Sequence, residues 1–350
     1  MRWRPNTSAL AIVAALLAGL PSAVAPAAAA TSLYAVPKYA AVLMDAATGE
    51  VLYARQADAA RFPASITKVM TLYVAFEELA AGRLREDDRL TISRNAAWQP
   101  PSKLGLRPGA TISVREAMGV LVTRSANDIA VALAEHIAGS ESAFAARMTG
   151  TARRLGMSRT TFRNASGLPD PGHVTTARDI ATLSRAVIRT FPDRYRLFAT
   201  VGFDYEGRII DNHNKLLGVV PGVDGIKTGF TNAAGFTLAA SAQQGNRRLI
   251  AIVLGGPSRM MRDGNVTDLL ETGFEVLDRR ARGEYTTVAA NLAEPDDLND
   301  WVMERLASDD VVADGGIAGA AANGTAVAGA RAVGPAGRAA VRLAGGSPQP

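Results

Sequence analysis

Two side chains three residues apart could do chemistry together: Ser65 and Lys68, in Phe62-Pro63-Ala64-Ser65-Ile66-Thr67-Lys68-Val69-Met70-Thr71. At the first turn of a helix that spacing puts both on one face, near enough for the amine to take the hydroxyl's proton. A helix N-terminus also offers unpaired N–H groups and a partial positive charge, which favour a developing alkoxide or oxyanion. Pro63 and the hydroxyls of Ser65 and Thr67 suit such a start, and residues 69–81 read as a buried hydrophobic helix. Lysine is scarce here. Only five occur, at 38, 68, 103, 215 and 227, among 38 Lys plus Arg. Where a fixed charge suffices this chain uses Arg, so each Lys is a candidate for work a guanidinium cannot do, such as acting as a base. Of the five, only Lys68 has a Ser three residues before it.

Other chemistries are excluded or lack support. There are no cysteines, hence no disulfides and no thiolate catalysis. The three histidines, at 136, 173 and 213, have no metal-ligand spacing, which argues against a zinc hydrolase. His213, in Asp211-Asn212-His213-Asn214, invites a triad reading, but no Gly-x-Ser-x-Gly elbow exists, and a loop histidine is preferred. The formal charge is +5. No basic cluster interleaved with aromatics speaks for nucleic acid.

The elements that must position Ser65 and Lys68 follow in order. Residues 1–30 have the charged, apolar, small-residue order of a secretory signal peptide: Arg2 and Arg4, an apolar run over 9–20, Pro21, then alanines 27–30. Without them the charge falls to +3, from 36 basic and 33 acidic residues. No later segment is long and apolar enough to span a bilayer, so no integral membrane segment is expected after cleavage. Residues 38–45 and 50–55 read as a hairpin leading to Ser65. Residues 89–93 are a short strand candidate, and Pro108-Gly109 a turn. Apolar stripes then predict helices over 113–123, 127–138 and 141–155, an all-helical subdomain. Between the first two lies Ser125-Ala126-Asn127, either a helix cap or a hydroxyl and an amide projecting together into a cleft. Residues 164–173 form a turn-rich loop before a helix over 176–189. Lys227-Thr228-Gly229 would lie on an edge strand, with Gly229 leaving room for a substrate backbone; the alternative is a strand start with a solvent-facing Lys. Strands over 235–243 and 247–256 and a helix over 266–282 follow. From Glu284 the pattern fades, with one short helix expected near 299–306; residues 311–350, with 13 alanines and 9 glycines, read as a disordered tail.

Three individually weak patterns in fixed order resemble a known family. Ser65-x-x-Lys68, Ser125-x-Asn127 and Lys227-Thr228-Gly229 are the three motifs of the penicillin-recognising serine enzymes. Asn164-Ala165-Ser166-Gly167-Leu168 and Asp224-Gly225-Ile226-Lys227-Thr228-Gly229-Phe230-Thr231 narrow the resemblance to the low-molecular-mass penicillin-binding proteins, the D-alanyl-D-alanine carboxypeptidases of the S11 serine peptidases. It covers about residues 34–282. It implies an α/β (α+β) fold: a five-stranded antiparallel sheet flanked by the first and last helices, a helical cluster over about 85–190, and the active-site cleft between them. The implied chain comprises a signal peptide (1–30), a catalytic domain (31–283) and a low-complexity tail (284–350), exported to the periplasm or cell wall.

The implied activity removes the terminal D-alanine from peptidoglycan pentapeptide stems through an acyl-enzyme, without a cofactor, and β-lactams would acylate the same serine. Ser65 would be nucleophile, Lys68 its base, and Ser125 a proton relay. Asn127 would hold the substrate amide, Thr228 the terminal carboxylate, and the N–H groups of Ser65 and Phe230 the oxyanion. Lys227 would help to discharge Lys68, and Arg262 falls where the family places a carboxylate-steering arginine. The family's frequent β-rich second domain and membrane-docking helix find no counterpart after Gly283, which keeps a D,D-endopeptidase open. A stem-peptide-binding protein on the same fold would not need nucleophile and base together. A class A β-lactamase would need Glu-x-x-Leu-Asn between the second and third motifs, which is absent.

Overall fold

The computed structural model describes residues 39–292. The expected signal peptide, the helix near 299–306 and the tail from 311 lie outside them. The first hairpin joins β1 (Ala40–Asp45) to β2 (Val51–Arg55). A 3-10 turn, Ala64–Ile66, runs into α1 (Thr67–Ala80), so Ser65 stands just ahead of the α-helix and Lys68 in its first turn.

The next stretch is not wholly helical. β3 (Arg89–Thr91), α2 (Arg94–Ala97) and β4 (Thr111–Ser113) precede α3 (Val114–Thr123), and β3 pairs with β4 as a two-stranded antiparallel ribbon. β3 falls within the short strand expected at 89–93, and the helices expected over 113–155 are present; β4 was not foreseen, since a strand of three residues is too short to display an alternating pattern. Ser113 ends the ribbon and starts α3 through a capping box, its hydroxyl accepting from Glu116 N–H while its own N–H donates to the Glu116 carboxylate. α4 (Asn127–Ala138) and α5 (Glu141–Arg154) follow; Gly139, at φ +76°, ends α4 in the left-handed conformation that glycine tolerates.

Thr176 caps α6 (Ala177–Thr190), which continues into α7 (Pro192–Tyr195) and a second 3-10 turn, Arg196–Ala199. β5 (Gly202–Tyr205) and β6 (Arg208–Asp211) make an unanticipated small hairpin. The chain then returns through β7 (Val223–Thr231), β8 (Gly235–Gln244) and β9 (Arg247–Gly256) to α8 (Arg259–Ala281) and α9 (Val288–Asn291).

The main sheet is antiparallel throughout, in the order β2-β1-β9-β8-β7, with β7 at an edge. Both faces are buried. Along β9, Ile250, Ile252 and Leu254 join the core shared with α1, α3, α4 and α6, while Leu249, Ala251 and Val253 join a second core with Val266, Leu269, Leu270 and Phe274 of α8. α6 lies against β1 and β9 and covers most of the first face, while α1, expected to flank the sheet, touches it at β7 and otherwise packs among α3, α4, α5 and α6. α8 begins seven residues before the expected Val266, capped by Ser258. The packed body also passes Gly283: Val288 of α9 is fully buried, and Arg280 bonds to the Thr286 carbonyl.

Candidate active site

Four segments from distant parts of the chain meet at the start of α1. The first carries the nucleophile candidate. Ala64, with φ +47°, holds a non-glycine left-handed conformation directly before Ser65, local strain of the kind that persists only where its surroundings enforce it. Ser65 is half-buried; Lys68 is fully buried, its Nζ 3.1 Å from Ser65 Oγ.

The second and third segments fix that amine. Lys68 Nζ donates to Asn127 Oδ1 at 2.7 Å and to the Ser166 carbonyl at 2.7 Å. The Asn127 amide cannot be reversed without loss, because its Nδ2 donates to the Pro100 carbonyl at 2.9 Å. Two of the three groups around Nζ are therefore acceptors only. A neutral amine spends its two N–H bonds on them, and its lone pair is left facing the Ser65 hydroxyl. Neutrality is favoured as well. Burial, followed by the charge of Lys227, holds the Lys68 pKa well below the usual lysine value, with Asp128 opposing.

Ser125 is not the α4 cap. That position falls to Ala126, and Ser125 itself sits at φ +61° with its hydroxyl buried and without a hydrogen-bond partner among the described residues. A buried free hydroxyl beside Asn127 is costly to keep unless something is to be bound or passed there. Asp128, fully buried, accepts from the N–H groups of Leu104 and Gly105 and so ties the 98–105 loop to α4.

The loop at 164–173 is the third segment. Asn164 Oδ1 accepts from the N–H groups of Ser166 and Gly167, bending the chain so that the Ser166 carbonyl points at Lys68. Gly167 is at φ +87°, and a Cβ there would lie 1.8 Å from the Ala64 oxygen, so only glycine fits. Residue type gives Ser166 no role, since it contributes a carbonyl that any residue possesses; the Asx-turn and glycine signature of 164–167 is the signal that could find it.

β7 is the fourth segment. Lys227 is buried, its Nζ donating to the Thr228 carbonyl at 3.0 Å, so the solvent-facing alternative is wrong. Burial first, then the Arg262 charge, lowers its pKa to about 7. Thr228 is nearly buried beside it. At Gly229 the missing side chain makes room within the protein: a Cβ would stand 2.6 Å from Thr237 Oγ1 and 2.8 Å from Ser65 N. The missing side chain serves an internal close approach that brings β7 against the Ser65 amide, beside the room expected there for a substrate. The Phe230 ring packs on Phe236, centroids 4.3 Å apart, anchoring the end of β7. Arg262 lies buried in α8, bonded to the Thr237 carbonyl at 2.8 Å and to the Asp263 carboxylate. His213 remains exposed on the loop before β7.

Upstream of Lys227, Asp224 accepts from Tyr195 Oη and pairs with Arg248 at 2.7 Å, which ties β7 to α7 and β9. Among the described residues no cluster of His, Asp or Glu could hold a metal, and no helix is long and apolar enough to cross a membrane.

A Ser–Lys pair at the foot of a helix, facing an edge strand of a five-stranded antiparallel sheet, defines the class of the penicillin-recognising serine enzymes. The chain belongs to the D-alanyl-D-alanine carboxypeptidase family, peptidase family S11, whose profile matches residues 26–258. It is 38% identical over 244 residues to D-alanyl-D-alanine carboxypeptidase DacC of Escherichia coli K12, covering 68% of this chain and 61% of that protein. To DacF of Bacillus subtilis 168 it is 36% identical over 249 residues, covering 70% and 64%. The chain thus spans less than two thirds of the length of these curated relatives. Among solved structures it resembles penicillin binding protein 6B from Escherichia coli (TM-score 0.63, 38% identity, 66% of this chain and 75% of that one). It also resembles penicillin-binding protein D2 from Listeria monocytogenes in its cefotaxime-bound form (TM-score 0.63, 33% identity, 68% and 98%).

Proposed function

We propose that this protein is a serine-type D-Ala-D-Ala carboxypeptidase that trims the terminal D-alanine from peptidoglycan stem peptides. The observation that carries this reading is the Lys68 amine held on two fixed acceptors with Ser65 Oγ 3.1 Å away as the third neighbour. Ser65 Oγ attacks the carbonyl between the two D-alanines as its proton passes to Lys68. The oxyanion develops against the N–H groups of Ser65 and Phe230, on the strand that Gly229 lets approach. Ser125, whose hydroxyl is otherwise unpaired, passes a proton to the departing amine as the C–N bond breaks and free D-alanine leaves. Asn127 holds the substrate amide, and Thr228, with Lys227 and Arg262 behind it, receives the terminal carboxylate. Water then cleaves the Ser65 ester. A β-lactam would follow the same first step, as the cefotaxime-bound relative suggests by analogy. Residues 1–30 would direct export, placing the enzyme in the periplasm or cell wall, beside its substrate.

The test is direct. Wild type and Ser65→Ala are incubated with a fluorescent penicillin and with a diacylated Lys-D-Ala-D-Ala peptide. The reading expects covalent label and D-alanine release in wild type and neither in the variant. A wild type that releases no D-alanine would defeat it.

A further inference from the structure

The loop at 164–173 meets the start of α1 at more points than the mechanism uses. Ser166 O receives Lys68; Ala165 O receives Thr71 Oγ1 at 2.6 Å; Gly167 packs on the Ala64 carbonyl. The last contact is made by His173, whose Nε2 lies 2.9 Å from Thr67 Oγ1. Thr67 stands between nucleophile and base in sequence, and its N–H bonds back to the carbonyls of Ala64 and Ser65.

The ring's protonation is fixed by its other partner. The Arg163 N–H lies 3.2 Å from His173 Nδ1, and a backbone N–H can only donate. Nδ1 therefore accepts, the single ring proton resides on Nε2, and Nε2–H donates to Thr67 Oγ1. A second proton would have to sit on Nδ1, against the Arg163 N–H. The site resists it: His173 is 1% exposed, with Phe162 edge-on at 5.5 Å. Burial, with Lys68 and Arg163 adding to it and Asp170 opposing, lowers its pKa to about 4. With both nitrogens engaged, His173 cannot be a base for Ser65.

We propose that His173 is a positioning residue: as the Nε2–H tautomer held by the Arg163 amide, it clamps Thr67 and thereby sets the 3-10 to α-helical turn on which Ser65 and Lys68 face each other. The proposal rests on the acyl-enzyme reading above. A rigid ring reaching from the far end of the loop fixes the turn from behind, while Ser166 holds the amine from the front. Loss of the clamp misplaces the pair without touching any group that contacts substrate, so it reduces the chemical step and spares binding.

The experiment compares full-length wild type, His173→Leu, His173→Gln, Thr67→Val and the His173→Leu/Thr67→Val double variant. Readouts are the rate of labelling by fluorescent penicillin and kcat and KM on the diacylated peptide. His173→Leu should label about tenfold to a hundredfold more slowly, with kcat falling and KM within about threefold. His173→Gln, whose amide offers a donor and an acceptor, should recover most of the rate. Thr67→Val should resemble His173→Leu, and the double variant should be no slower than either. Labelling of His173→Leu at the wild-type rate overturns the clamp, as do single losses that multiply in the double variant, or a Gln variant no faster than Leu. If His173→Leu fails to fold, Thr67→Val, which removes one hydroxyl and keeps the shape, decides by itself. Absence of label in wild type would instead overturn the acyl-enzyme reading.

Discussion

At the scale of residues, the proposed mechanism rests both its chemistry and its pH response on the two lysines. Lys68→Arg keeps a cation in place of the amine but supplies no base, since a guanidinium does not deprotonate at accessible pH. Penicillin labelling should fall by about 10²–10⁴-fold. Lys227 acts on Lys68 through its charge, so Lys227→Met should let the Lys68 pKa rise and move the acid limb of the labelling rate to higher pH. Stability gives an independent check with a definite sign. Lys227 has a folded-state pKa of about 7 against the ordinary 10.5, so between those values the unfolded chain binds more protons than the folded one. Stability must therefore rise with pH across that window. The melting temperature of wild type should gain more between pH 7 and pH 9 than that of Lys227→Met; equal gains would contradict the burial that lowers the Lys227 pKa. What could be read of these residues from sequence followed from side-chain type. Ser65 and Lys68 declare themselves by chemistry and spacing. Ser125 did not, because a serine between two helices is equally a cap until Ala126 is seen in the cap position. Ser166 and His173 were silent, the one acting through its backbone and the other through a tautomer chosen by an amide ten residues away.

At the scale of elements, close approaches rather than long contacts place the site. Gly229→Ala would drive a methyl to within 2.8 Å of Ser65 N and should abolish labelling while leaving the sheet's other four strands paired. Gly167→Ala meets the Ala64 carbonyl at 1.8 Å and adds a left-handed backbone that alanine resists; it should lower both the melting temperature and the labelling rate. Ser258→Ala removes the cap of α8, far along the chain from the motifs. It should cost about 1 kcal/mol in a denaturation midpoint and leave labelling unchanged. The long helices and the two sheet strands after Lys227 were legible because their apolar spacing is regular. α8's first two turns were not, since Arg259, Arg262, Asp263 and Gly264 interrupt the stripe. α6 was found but misplaced. An apolar stripe of Ile180, Ala181, Leu183 and Val187 says that a partner exists, without saying whether it is a helix or a sheet.

At the scale of the whole molecule, the boundary of the packed body becomes a testable quantity. Reading strand and helix periodicity placed it at Gly283, where the long stripe ends. Four-residue α9 has no periodicity to display, yet Val288 is fully buried and Arg279 reaches Asn291 Oδ1 at 2.7 Å. A chain ending at Leu292 should keep the penicillin-labelling rate and thermal midpoint of the full protein. One ending at Gly283 should melt at lower temperature, because the second core loses Val288. The path of the chain through the main sheet reaches further. β1, drawn from the start of the body, has one neighbour close by in β2, but its other flank is filled only by β9, with Ala40 opposite Leu254. Emerging from the ribosome, this polypeptide therefore has no complete sheet until more than 250 residues have been made. A half-made chain lacks the strand that closes the sheet on β1's second flank. If the proposed leader hands it to a membrane channel, it arrives without a finished sheet, and the distant segments that surround Lys68, at Asn127, Ser166 and β7, all come together only once the chain has reached the far side.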